Sequence, residues 1–381
     1  MTRKRFNQII FSYIEVVVGI FDVLFVRKPK SIQKNTLLII KLDAIGDYIL
    51  FRNYLKSIRE SEKFKGFEIH LLGNKLWKSI SEKYDTEYID KFIWINPSDF
   101  LLKPTKHYEI IRSLRSIIGY EYIVQPSYSR FYCMDKLVRL IRGKYKIAPK
   151  GNRRNTHYLP RFISNAFYTE LYPVEKPKLF EFYKNKQLVE GFIKEPINNI
   201  HLSIDSVQNT SQKENYVAIF PDAAVSYRRW HIDNFLQVVN YILENSDLKI
   251  KIVGTNTEIM EYLDSLDLNP RIENLMKKTN LPETIEILAA ARFTISNDSG
   301  LAHVSTAVNT PTICISNGNH YGRFVPYPAD MKKELKLVIP SLLWDKYHDN
   351  ETLVKKLSMG SLVDINLISP AEVISLVKNY L

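Results

Sequence analysis

The sequence predicts an α/β protein of two successive domains, each a parallel sheet flanked by helices. Three observations lead there. The chain has 381 residues, too many for one ordinary core and enough for two domains of roughly 150–200 residues. Short apolar runs alternate with segments of helical periodicity, the pattern of βαβ units. That alternation stops at a polar run and then restarts.

The first half opens its pattern at Thr36–Lys41, a short apolar run typical of a buried parallel strand. The turn Leu42–Asp47 follows, and Tyr48, Phe51, Leu55 and Ile58 then recur at the spacing of one helix. A strand at Phe67–Leu72, a helix from Asn74, a strand at Tyr88–Ile95, a helix at Tyr108–Ile118 and a strand at Glu121–Gln125 continue it. Pro173–Asn215 reads as irregular, rich in Lys, Glu, Asn and Gln. Its end, Gln208–Asn215, has no apolar residue and marks a linker. The second half restarts with a strand at Tyr216–Phe220, a helix at Ile232–Leu243 and a strand at Leu248–Val253. Asn280-Leu-Pro-Glu283 is a helix start with a capping Asn, an early Pro and a Glu three residues on. That helix runs through Ala291, followed by a strand at Phe293–Ser296, a helix from Ser299 and a strand at Thr312–Ser316. The domains are therefore drawn as an N-terminal amphipathic helix over 1–35, a first domain over 36–207, a linker over 208–215 and a second domain over 216–381. A ligand cleft is expected between the two α/β halves.

Composition narrows the chemistry. An apolar fraction of 45% and a charged fraction of 25% are those of a globular protein. A formal charge of +12 points to anionic partners: phosphate groups, acidic glycolipid or a membrane surface. Nucleic acid is set aside, because no zinc-finger, RRM-like or related motif accompanies the charge. Cys133 and Cys314 stand alone, without CxxC spacing, so neither a disulfide framework nor a structural zinc site is expected and a reducing cytoplasm fits.

Ile9–Val26 is apolar but interrupted by Glu15 and Asp22. On a helix Ser12, Glu15, Gly19 and Asp22 form one polar stripe. Two acids in so short a stretch argue against a membrane span, and the lack of a small-residue cleavage site argues against a signal peptide. Two readings stay open. The helix packs on the body of the protein, or it lies in a membrane interface with Arg3, Lys4, Arg5, Arg27, Lys28 and Lys30 at the headgroups.

Three constellations could carry chemistry. In Lys41–Asp47, Gly46 permits close backbone approach and Asp47 lands at the carboxyl end of a parallel strand, where a carboxylate can act as general base. The plainer reading is an Asp favoured by a helix N-terminus. The turn lacks G-x-G-x-x-G, which disfavours a dinucleotide-dependent oxidoreductase. In Phe220–Trp230, Arg228 and Arg229 follow a strand and could neutralise a diphosphate leaving group. The alternative is a solvated pair beside a packed Trp230. In Ser296–His303, small residues at a helix start aim backbone N–H groups at an anion. Asp298 there would repel phosphate and suits sugar hydroxyls. His303 lies one turn in, and is otherwise a satisfied core histidine.

Taken together and in this order, LLIIKLDAIGDYIL, SYRRW and TNLPETIEILAAARFTISNDSGLAHVSTAVNTPT resemble glycosyltransferase family 9, the ADP-heptose:lipopolysaccharide heptosyltransferases. The likeness runs from about Thr36 to Pro328. It implies a GT-B fold, two Rossmann-like domains with a cleft between them and the donor mainly on the second. Asp47 matches the family's catalytic base, and Arg228 stands where the family has a phosphate-binding basic residue, usually Lys, with Arg229 the alternative. Asp298, Ser299, Gly300 and Leu301 match the donor-binding turn, and His303 its nearby histidine.

The implied activity is inverting, metal-independent transfer of a sugar, heptose in the family, to lipopolysaccharide or another surface glycan. The donor, an ADP-sugar, is a substrate, and no cofactor is implied. The implied setting is the cytoplasm, with peripheral contact at the inner face of the cytoplasmic membrane. No Asp-x-Asp pair follows a predicted strand, which fits charge neutralisation by Arg and helix dipoles. The chain departs from the family at Asp43 and Asp222, where small residues are common. Asn53 replaces a frequent Pro, and Ser316–Phe324 replaces a Gly-Pro-Thr-rich loop. A nucleotide-sugar epimerase or hydrolase on the same fold, or a non-catalytic nucleotide-sugar-binding relative, are the alternatives. Lys136–Arg154, with eight basic residues and no acid, is read as facing an anionic membrane or a phosphorylated glycolipid.

Overall fold

The apolar run Thr36–Lys41 forms the buried inner end of β1 (Ile32–Lys41), whose outer residues Gln33–Asn35 are exposed. A strand with parallel neighbours on both sides and helices on both faces needs such a continuous run. The structure, a computed structural model, describes residues 13–14, 16–20, 22, 31–114, 118–173, 180–208, 212–267 and 269–381. After β1 come α1 (Ile45–Arg52), α2 (Tyr54–Glu60), β2 (Glu68–Asn74), α3 (Lys78–Tyr84), β3 (Lys91–Ile95), α4 (Pro97–Leu102) and α5 (Pro104–Leu114). They are followed by β4 (Gly119–Val124), α6 (Tyr132–Leu140), β5 (Gly143–Pro149), α7 (Tyr158–Asn165), β6 (Glu170–Tyr172) and α8 (Glu181–Ile193). These six strands form one parallel sheet in the order β3-β2-β1-β4-β5-β6.

The rest of the chain gives α9 (Asp205–Gln208), β7 (Tyr216–Phe220), α10 (Ile232–Asn245), β8 (Lys249–Ile252), α11 (Thr257–Asp264), β9 (Ile272–Asn274) and α12 (Leu281–Ala290). Then come β10 (Phe293–Asn297), α13 (Gly300–Ala307), β11 (Thr312–Ile315), β12 (Leu335–Val338), α14 (Ser341–Tyr347), α15 (Asn350–Leu357) and α16 (Pro370–Val377). Their sheet runs β12-β11-β10-β7-β8-β9. Counted from its own first strand, it repeats the order of the first sheet. Both are doubly wound, with the direction of winding reversing at β1/β4 and at β7/β10, the places where such sheets bind ligands.

By contacts the chain divides into two units. One lies within Met1–Ala44, Phe51–Pro177 and Phe182–Ile200, the other within Ile45–Leu50, Lys178–Glu181 and His201–Leu381. The turn segment Ile45–Leu50 therefore groups with the second unit. Of the expected linker, residues 209–211 lie outside the described residues.

Several sequence expectations are corrected. Tyr48–Ile58 is two helices, broken at Asn53, a residue type whose side chain competes for backbone hydrogen bonds. The helix expected at Tyr108–Ile118 starts earlier, at Pro104, because proline suits the first helical position. Pro173–Asn215 is not irregular throughout, since it holds the thirteen-residue α8. Its buried Phe182, Leu188, Val189, Phe192 and Ile193 keep helical spacing beneath a polar composition.

Two members of the basic run, Lys136 and Lys146, are buried, whereas Arg142, Lys144, Lys150 and Arg153 are exposed. Lys136 is buried on α6, and Lys146 donates from Nζ to the carbonyls of Val138 at 2.5 Å and Ile141 at 2.8 Å. Those carbonyls close the end of α6, where a cation is favoured. Lys136 instead pairs with Asp22 of the N-terminal helix at 2.8 Å, and His107 Nε2 approaches the other Asp22 oxygen at 2.8 Å. Gly19, on the same stripe, lies against the Lys136 side chain. The described members of the polar stripe, Gly19 and Asp22, thus face the protein. Ser12, Glu15, Arg3, Lys4, Arg5, Arg27, Lys28 and Lys30 lie outside the described residues. Among those described, no helix is long and apolar enough to cross a membrane.

Removing one member of a buried ion pair leaves the other charge uncompensated. Asp22→Ala is therefore expected to cost about 3–5 kcal/mol of the stability of the first unit, measured by urea unfolding. An unchanged midpoint would show that the helix contributes no anchoring through this stripe.

Candidate functional site

The site is built where the second sheet reverses its winding, between the ends of β7 and β10. Every residue of β7 is buried, and the chain leaves it as Pro221–Trp230. The far end of that segment is anchored by Trp230, a buried side chain whose indole N–H donates to the Ile368 carbonyl at 2.8 Å. Asn297, the last residue of β10, ties the segment at both ends. Its amide donates to the Pro221 carbonyl at 2.6 Å, and its side-chain oxygen accepts from the Trp230 N–H at 3.1 Å. Arg228 and Arg229 are held between these anchors.

Each arginine has an aspartate partner. Arg228 Nη2 lies 3.0 Å from Asp298 Oδ1 and also donates to the Asp298 backbone carbonyl. Its Nε is buried without a hydrogen-bond partner. Arg229 Nε donates to the Ala223 carbonyl at 2.9 Å and lies 3.4 Å from Asp222 Oδ1. The pair is therefore half-buried and fixed, not freely solvated. Asp298 is buried, and its second oxygen accepts from Ser316 Oγ at 3.0 Å. The carboxylate expected to meet sugar hydroxyls is engaged on both oxygens within the chain, by Arg228 and by Ser316.

Beyond Asp298 the chain enters α13. Ser299 is its extended N-cap and gives no side-chain cap. The first-turn N–H groups of the helix thus lack the usual side-chain acceptor, and such groups suit an anion. Ser299 and Gly300 are half-buried, whereas Leu301 is buried. The segment Ile45–Leu50 packs on this helix start at a spacing only glycine permits. A Cβ on Gly46 would sit 2.7 Å from His303 Cδ2, and one on Gly300 would sit 2.9 Å from the Ile45 Cβ. Asp47, the next residue, lies half-buried in the first turn of α1.

His303 is buried, with Nδ1 2.8 Å from the Tyr327 hydroxyl. Burial pushes its pKa down to about 4, against an opposing effect of the Asp298 charge and with a lesser contribution from Arg228. It is neutral at physiological pH. The loop Ser316–Phe324 folds back on the same unit. Asn317 donates to the Tyr227 and Val363 carbonyls at 3.3 and 3.2 Å, and the buried Arg323 pairs with Glu181 at 2.8 and 3.1 Å. Among the described residues, no group of three or more His, Cys, Asp or Glu could hold a metal ion.

Sequence reasoning did not single out Asn297, Ser316 or Tyr327. Asn297 and Ser316 stood inside quoted segments, but their partners lie 76 and 18 residues away. Tyr327 had no local signal, since its role rests on a contact to His303 24 residues away.

The model of glycosyltransferase family 9 (heptosyltransferase) matches residues 176–334. Lipopolysaccharide heptosyltransferase 3 of Escherichia coli (strain K12) is 23% identical over 207 residues, 51% of this chain and 58% of that protein. Lipooligosaccharide heptosyltransferase 2 of Haemophilus influenzae is 33% identical over 78 residues, 20% of this chain and 22% of that protein. The chain thus spans well under two thirds of the length of these curated relatives. Among solved structures, E. coli heptosyltransferase WaaC with ADP superposes with a TM-score of 0.69 at 13% identity, covering 91% of this chain and 100% of that one. WaaC with ADP-2-deoxy-2-fluoro heptose gives 0.67 at 15% identity, over 90% and 99%. A family 9 glycosyl transferase from Veillonella parvula gives 0.65 at 15% identity, over 92% and 99%. At such identities the structures show a shared fold, the GT-B arrangement of two parallel doubly wound sheets. The resemblance to family 9 read from the three motifs holds.

The buried imidazole makes stability pH-dependent. Its pKa is 6.5 by default and about 4 in the fold, so as pH falls the unfolded chain takes up the proton first. Its contribution is complete above about pH 6.5 and is lost as pH falls towards 4, by on the order of 3 kcal/mol. His303→Gln is expected to remove that part of the pH dependence, read as the difference in urea midpoints between neutral and mildly acid buffer. Equal losses in both proteins would contradict a depressed pKa.

Proposed function

We propose that this chain is an inverting glycosyltransferase that moves a sugar from an ADP-sugar to a lipopolysaccharide or other surface-glycan acceptor without a metal ion. Heptose is the sugar to test first, because the relatives are named for it. One observation supports this reading above the others. The uncapped start of α13, the arginine fixed beside it by Asp298, and the glycine contact that seats the turn bearing Asp47 all converge in one place.

The chemistry follows from those groups. Asp47 accepts the proton of the acceptor hydroxyl as its oxygen bonds to the anomeric carbon. The bond from that carbon to the diphosphate breaks on the opposite face, inverting the centre through an oxocarbenium-like state. The departing ADP keeps the electron pair. Its new charge is met by Arg228 and by the N–H groups of α13, each charge-assisted contact contributing about 1.5–3 kcal/mol. Asp298 keeps Arg228 in place and offsets part of its charge, so the arginine is oriented before the donor arrives. Neutral His303 fills the space behind Gly46 and adds no competing charge.

The test is a transfer assay with ADP-heptose and a truncated lipopolysaccharide acceptor. Asp47→Asn is expected to lower turnover by roughly 10²–10⁴-fold while ADP binding is retained, and wild-type turnover is expected to survive excess EDTA. Near-normal turnover in the variant would remove Asp47 as the base, and a loss restored by Mg²⁺ would overturn the metal-free mechanism. Donor consumption that ignores the acceptor would favour the epimerase or hydrolase reading.

A further inference from the structure

We propose that the first unit carries a docking surface for an anionic phospholipid bilayer, formed by the outer face of the N-terminal helix and by α7, with a basic pocket beside them for a lipid phosphate. The membrane contact itself rests on the family resemblance; its place on these two helices and this pocket does not, and none of the groups assigned to sugar transfer takes part.

The first observation is an inverted helix. With Gly19 and Asp22 spent on the protein, the aliphatic side chains point outward: Ile14 is 53% exposed, Val17 55% and Ile20 56%. A helix packed on a globular body ordinarily does the reverse. Beside it α7 does the same. Its Pro160, Arg161 and Ser164 are buried, while Tyr158 is 62% exposed and Phe162 68%. The two helices adjoin, because the Tyr13 hydroxyl lies 3.1 Å from Nδ1 of His157, the N-cap of α7. Contiguous apolar surface of this kind marks an interaction site.

The second observation is charge. A cavity of about 320 Å³ opens at α7, lined by Lys150, Arg153 and Arg161 together with Asn152, Tyr158 and Phe162. Behind it Arg130 and Arg161 share one buried carboxylate, Asp135, at 3.7 and 3.4 Å. Tyr168 donates its hydroxyl to that same group at 2.6 Å. Two buried guanidinium groups on one carboxylate leave a positive excess, and the Nε of each has no hydrogen-bond partner. An anion in the pocket would balance it. Aliphatic and aromatic side chains beside basic residues are what a headgroup layer accepts, apolar groups entering the acyl boundary and cations meeting phosphate. A purely acidic peptide would satisfy the charge but leave the aliphatic face uncovered.

Co-sedimentation of the full chain with vesicles of phosphatidylcholine, alone or mixed with phosphatidylglycerol, tests this without any glycolipid acceptor. Binding is expected on the mixed vesicles, weakened by salt. The double variant Lys150→Glu/Arg153→Glu should lose about tenfold or more in affinity. Val17→Glu and, separately, Phe162→Ser should lose binding as well, with unchanged thermal melts because both positions are exposed. Equal pelleting on neutral and mixed vesicles, or variants that bind as the wild type, would overturn the proposal. So would vesicle binding that is absent while inorganic phosphate still protects the pocket, which would make it a site for a soluble anion. A change of oligomeric state in Val17→Glu, by sedimentation velocity and without a change on vesicles, would assign the face to self-association.

Discussion

Asp298 is the residue on which the second unit's site depends. It sits at the end of β10, buried, at the start of a helix whose dipole favours a negative charge. One oxygen faces Arg228 from the segment after β7, and the other accepts from Ser316 after β11. Three strand ends are thereby tied to one carboxylate. Coulombic attraction at 3.0 Å in a poorly solvated place is strong, so the arginine is held without a ligand. In the proposed function, an incoming phosphate would meet a cation already oriented beside the uncapped N–H groups of α13. The cost is that the acid reduces the net charge the phosphate sees, a trade of affinity for preorganisation.

A second constraint is steric. Gly46 and Gly300 allow the start of α1 to lie against the start of α13, with His303 filling the space behind. Because that imidazole is buried and neutral, the contact adds no charge near Asp47. Backbone approach, helix polarity and one ion pair thus define the site more than any cluster of titratable groups does.

The parts legible in the sequence were those set by local chemistry. Tyr216–Phe220 is a strand as read, since a fully buried parallel strand must be continuously apolar. Asn280 and Glu283 form both halves of the capping box that their spacing implied, at 3.0 and 2.8 Å. The parts that were not legible depend on partners distant in the chain. Nothing near Arg228 announces Asp298, 70 residues on, and nothing near Lys136 announces Asp22. A charge in a sequence carries no label for burial, which is why Lys136 and Lys146 read as surface and are instead structural. The same limit hid the sense of the N-terminal helix. Its stripe was visible, but which side met the protein followed only from the buried contacts of Asp22 and Gly19.

The account rests on Arg228 and the start of α13 as the place where a nucleoside diphosphate binds, and calorimetric titration of ADP into wild type and Arg228→Ala tests that most directly. Loss of one charge-assisted contact of about 1.5–3 kcal/mol predicts Kd raised roughly 10–100-fold, titrated at a temperature where the variant is folded, because removing Arg228 leaves the buried Asp298 carboxylate without its cation and lowers the melt. An ADP affinity within about twofold of wild type would contradict it, and would place the diphosphate away from the residue that Asp298 holds.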